Sequence, residues 1–151
     1  MIRRLRHWAR RLTESRPPDV VIGAPANPYM ARWWAIPRNS VFNVYIHRVL
    51  RPDDDRALHD HPWINVSIVL AGGYFEVTPE WSAVRMAGDI VFRWPRSLHR
   101  LANPYPGTLT LFITGPTVRE WGFQCPNRWV PWKEFVKPGA PGEIGRGCGE
   151  D

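Results

Sequence analysis

The chain has 151 residues and a net charge of +6, enough length for one domain with a real hydrophobic core. No run of about 18 apolar residues occurs, so a transmembrane helix is not expected. The charge is uneven: residues 1–16 hold six arginines (Arg3, Arg4, Arg6, Arg10, Arg11, Arg16) against Glu14, and the remainder is near neutral, which argues against a basic nucleic-acid-binding domain.

Residues 2–13 are predicted to be a helix, because Ile2, Leu5, Trp8, Ala9 and Leu12 recur at helical spacing with arginines on the other faces. Arg16-Pro17-Pro18 ends it. This basic arm is expected to dock on the domain as a solvated amphipathic helix, with contact to an anionic partner as the alternative role. It has no apolar h-region, so a secretory signal is not expected. Val20 to Ile22 reads as a short strand, residues 23–32 as a loop, and Trp33 to Ile36 as the start of a barrel.

From Val41 to Leu50 the chain is rich in β-branched and aromatic residues, and Arg51-Pro52-Asp53-Asp54-Asp55 breaks the run. Further strands are predicted at 58–61, 64–70, 74–78, 81–86, 89–93, 99–101 and 108–114, with Gly72-Gly73 and Pro79-Glu80 as turns. Helical periodicity is absent from 41 to 124, and short strands at this spacing indicate an all-β sandwich or barrel. Residues 116–136, with Trp121, Trp129 and Trp132, are expected to cap one end. The predicted organisation is a helical arm (1–16), a β-barrel domain (17–136) and a flexible tail (137–151).

Cys125 and Cys148 lie in dissimilar settings and are read as spectator thiols, with a reducing cytoplasm as the expected location. Dinucleotide-binding, P-loop, nucleophile-elbow and C-x-x-C motifs are absent.

The chemistry concentrates in His59-Asp60-His61 and His99. An H-x-H on a strand sends both imidazoles to one face, while Asp60 alternates to the other. A third imidazole brought across by a second strand completes a set that suits Fe, Zn, Mn, Ni or Cu with open positions. Asn43, Tyr45 and His47 share one face of their strand, and if it points inward Tyr45 and His47 can donate a proton or hold a substrate. Arg93, Arg96 and Arg100 surround His99, and Arg93 or Arg100 is placed to clamp a substrate carboxylate or phosphate. Trp63 and Trp94 flank the site in sequence, and Trp63 is a candidate wall for substrate.

Residues 59–103 resemble the two sequence motifs of the cupin superfamily. The first is H-x-H, three or four residues, Glu, six residues and Gly. Here His59-Asp60-His61, Pro62-Trp63-Ile64, Asn65 and Gly72 keep the spacing, with Asn65 in the glutamate's place. In the second motif Gly88, His99 and Asn103 match, Pro95 is one residue late, and Ser97 replaces a glycine. Residues 119–132 also resemble the C-terminal part of small cupin-domain proteins carrying H-D-H-P-W.

The resemblance implies an antiparallel double-stranded β-helix, or jelly roll, with a metal held inside by His59, His61 and His99. It also implies a small-molecule substrate and is compatible with a homodimer. Three-histidine iron sites occur among the cupin thiol dioxygenases and diketone-cleaving dioxygenases, so the site is similar to theirs and Fe(II) is the expected metal, with Zn, Mn or Ni as alternatives. Asn65 offers only a neutral carbonyl oxygen or an N–H donor, which makes it a candidate to ligate weakly, orient a water or contact substrate. The expected function is a non-haem Fe(II) oxygenase. A metal-dependent isomerase or lyase on the same scaffold, or a non-catalytic binding module, is the alternative.

Overall fold

The computed structural model describes residues 1–52 and 57–149. The break expected at Asp53-Asp54-Asp55 and the last two residues of the tail lie outside the described residues.

Helix α1 (Ile2–Ser15) is followed by strands β1 (Val20–Ala24), β2 (Asn27–Trp34), β3 (Asn43–Val49), β4 (Leu58–His59), β5 (Asn65–Ala71), β6 (Gly73–Val77), β7 (Ser82–Met86), β8 (Ile90–Arg93), β9 (Arg100–Ala102) and β10 (Leu109–Thr114). Then come β11 (Gly122–Gln124), β12 (Trp129–Pro131), the one-turn helix α2 (Trp132–Phe135), β13 (Val136–Lys137) and β14 (Ala140–Ile144). The largest sheet has the order β1-β2-β3-β10-β5-β8, and smaller sheets are β7-β6-β9, β12-β11-β4 and β13-β14. The strand pairings are antiparallel.

Alternation along the strands sorts side chains into two layers. Ala31 and Trp33 of β2, Ile46 of β3, Leu70 of β5, and Leu109 and Leu111 of β10 form one core with Ala9 of α1, and Leu5 and Leu12 of the helix pack on it. The arm is therefore docked on the outer face of the large sheet, although Trp8 is turned away and 42% exposed. Arg32, His47, Ser67, Arg93, Thr110 and Phe112, on the opposite face, line an internal cavity.

Gly72 joins β5 to β6 at φ +64, and a Cβ there would meet Thr108 Oγ1 at 2.6 Å, so the turn requires glycine.

Three expectations are corrected. Part of the predicted loop at 23–32 is strand β2, because Met30 to Trp34 pair with β3 while Asn27 to Arg32 pair with β1; that pairing outweighs the turn-forming Asn27-Pro28. The two cysteines are not spectator thiols: Cys125 and Cys148 form a disulfide, with Cα atoms 5.5 Å apart. A disulfide is uncommon in a reducing cytoplasm, so the cysteines no longer argue for that location. The tail is not loose over 137–149: β14 pairs with β13, and Cys148 packs on a second core of Phe123, Val130, Phe135 and Val136. No helix among the described residues is long and apolar enough to cross a membrane.

Candidate metal centre

The site is assembled where two short segments meet. His59, at the end of β4, and His99, just before β9, form an isolated antiparallel bridge. His59 N–H donates to His99 O at 2.9 Å, and His99 N–H donates to His59 O at 3.0 Å. His61 lies beyond the end of β4 and is held by its N–H to Pro95 O at 3.0 Å. The rings converge: His59 is 5.2 Å from His61 and 4.8 Å from His99 between centroids. The potential ligand atoms of the three side chains lie within 4.8 Å of one another.

The donor set fits a divalent metal. His61 Nε2 and His99 Nε2 are 2.9 Å apart, so one must donate to the other unless a cation sits between them. Burial pushes both imidazoles well below the usual histidine range. For His61 the neighbours His99, His59, Arg93 and Arg32 add to this, and for His99 the neighbours are Arg93 and His59. Neutral imidazoles are the form that ligates.

A buried carboxylate stands behind the histidines. Glu76, 1% exposed on β6, accepts from Arg93 Nε at 2.9 Å and Arg85 Nε at 2.7 Å, and Arg93 Nη2 adds a further bond. Its Oε1 lies 3.3 Å from His99 Nδ1, a contact whose alignment falls short of a hydrogen bond. A proton on Nδ1 facing this carboxylate leaves Nε2 as the lone pair turned toward His61.

The centre opens on a cavity of about 540 Å³ whose wall includes Trp63, Phe112, Trp121 and Phe123. Trp63 stacks on His61 at 5.0 Å.

No protein-family model and no curated protein sequence matches this chain. Solved structures do match it. An uncharacterized conserved protein with a double-stranded β-helix domain from Klebsiella pneumoniae superposes with TM-score 0.53 at 19% identity, over 68% of this chain and 90% of that one. KdgF from Halomonas sp. gives 0.51 at 14% identity, over 62% and 85%. The DMSP lyase DddQ from Ruegeria pomeroyi gives 0.50 at 17% identity, over 62% of this chain and 50% of that one.

This chain has the cupin fold. At these identities the likeness is one of architecture, and it agrees with the antiparallel sheets and the histidine cluster.

The candidate residues fall into two groups. His59, His61, His99, His47, Arg93 and Trp63 all line the cavity. Tyr45, Asn65 and Arg100 do not. Tyr45 is buried beside His47, with centroids 6.0 Å apart, and carries Arg32 over its ring. Asn65 is 1% exposed and receives a long bond from Arg93 Nη1 at 3.4 Å, leaving its Nδ2 without an acceptor. Arg100, the first residue of β9, pairs with Val77 of β6 and does not reach the cavity. Arg93 reaches the wall but is held by Glu76, so it is not a free clamp. Asp60 points away from the histidines and accepts from Arg119, Gly122 and Trp129.

Sequence reasoning missed Glu76 and Arg32. Alternation gave no usable signal for Glu76, because in Tyr74-Phe75-Glu76-Val77 the apolar Phe75 and Val77 would be taken as the inward face, whereas Tyr74 and Glu76 are the buried pair and Glu76 meets Arg93 from another sheet.

Proposed function

We propose that this cupin is a metal-dependent enzyme acting on a small molecule or an exposed side chain, and that with Fe(II) bound it is an oxygenase of the dioxygenase type. The observation carrying this reading is the convergence of His59, His61 and His99 on the wall of a partly aromatic cavity. His59, His61 and His99 would hold Fe(II) as neutral imidazoles, and the metal would supply the activation of O2 and substrate. Trp63 stacks on the His61 ring, and the Glu76 carboxylate 3.3 Å from His99 Nδ1 favours a proton on that nitrogen. Trp63, Phe112, Trp121 and Phe123 give a bound molecule an apolar flank beside the histidines.

The test is oxygen consumption by anaerobically iron-loaded protein across thiols, diketones and 2-oxo acids. Substrate-dependent uptake that disappears in His61→Ala supports the reading. Fully loaded protein without uptake on any class sinks the oxygenase assignment.

His47 favours a second reading, a metal-dependent isomerase or lyase. It is a buried imidazole on the same cavity wall, kept neutral by burial and by Arg32, whose Nε–H occupies its Nε2 lone pair, so the ring would move a proton only when that bond is released. Turnover without oxygen, with Mn or Zn as effective as iron, separates this chemistry from the first.

A further inference from the structure

Cationic side chains on the cavity wall are unequally matched. Arg93 is neutralised by Glu76. Arg32 has no carboxylate partner among the described residues. Its Nε donates to His47 Nε2 at 2.9 Å, and its guanidinium lies 5.0 Å over the Tyr45 ring. No acceptor among the described residues meets its two Nη nitrogens. Arg38 also lines the cavity, stacked on Trp34 at 5.7 Å, and adds a second positive charge. The acid on this wall, Glu143, is 3.5 Å from Lys137.

The placement of Arg32 is enforced by the sheet. Arg32, His47 and Thr110 lie abreast on β2, β3 and β10, so all three face the cavity. His47 and His61 both pack on the Phe112 ring, at 5.0 and 5.9 Å. One aromatic ring thus links the Arg32 pair to the histidine cluster. Arg32 is half-buried, so its fork stays open to the cavity, and that planar fork suits a carboxylate.

We infer that Arg32 is the anchor of a carboxylate-binding subsite, which receives the carboxylate of a small organic acid while the rest of that molecule extends toward His59, His61 and His99. The anchor stands on the sheet geometry alone, and only the direction of the bound molecule rests on the metal-centre reading. The substrate class is then an organic acid.

Ligand-observed NMR titration of the full-length protein with benzoate, benzamide and phenyl phosphate tests this. Benzoate is expected to bind at least about tenfold more tightly than benzamide, and Arg32→Met to remove about that factor. Arg32→Lys, which keeps the charge and loses the fork, serves if the Met variant does not fold, and it weakens benzoate about threefold or more. The exposed control Arg96→Met leaves binding unchanged. Equal binding of benzoate and benzamide, or unchanged affinity in Arg32→Met, overturns the subsite. Tighter binding of phenyl phosphate than of benzoate overturns the carboxylate assignment. Arg32-dependent binding that persists in His61→Ala supports the subsite even if wild-type protein holds no metal, and its loss in that variant overturns an independent anchor.

Discussion

His59 and His99 exchange both backbone hydrogen bonds across 40 residues of chain, and this bridge brings the H-x-H segment against the segment that precedes β9. It places two imidazoles 4.8 Å apart between centroids before any metal is considered. The backbone therefore presents the ligands, and a metal has little reorganisation to impose.

Elemental analysis of purified protein should show near-stoichiometric divalent metal, falling to about a tenth or less in His61→Ala and His99→Ala. Undiminished metal in both variants would remove these residues from the centre.

Glu76 holds two arginines, one of them, Arg93, only 4% exposed. Glu76→Gln strands that guanidinium, and a loss of about 3–5 kcal/mol is expected by urea denaturation. Combining it with Arg93→Met should recover part of the loss, because the stranded charge is gone. A single variant as stable as wild type would show that the pair does not hold this part of the barrel.

His47 makes the stability pH-dependent. Burial, with the Arg32 charge, keeps its imidazole well below its ordinary 6.5. Below pH 6.5 the unfolded chain takes up a proton that the folded chain refuses. Its contribution is therefore complete above 6.5 and declines as the pH falls toward the depressed folded pKa. The slope is at most about 1.4 kcal/mol per pH unit for this residue. His47→Gln, which retains an acceptor for Arg32, should lower the slope between pH 6.5 and 5.5 in metal-free protein, the remainder coming from His61 and His99. An unaltered slope would mean that His47 is not held neutral.

The Cys125–Cys148 disulfide closes a sequence separation of 23 residues around β12, α2, β13 and β14. Reduction, or Cys148→Ser, should cost about 3 kcal/mol by restoring freedom to the unfolded chain. Urea midpoints with and without reductant measure it, and intact mass reports whether the bond is present. Identical midpoints for a protein shown to be oxidised would contradict the role.

The sequence by itself determined the all-β cupin class, the helical arm and the three histidines, because alternation, helical periodicity and motif spacing are local patterns written along the chain. Tertiary structure decided the rest. Arg93 looked like a clamp until Glu76, on another strand, was seen to hold it, and Arg32 became the unmatched cation only when β2 was laid beside β3. Cys125 and Cys148 looked unrelated until the last hairpin folded back onto the aromatic core. Such partnerships join positions far apart in sequence, and they depend on which side chains share one interior, information that no local period carries.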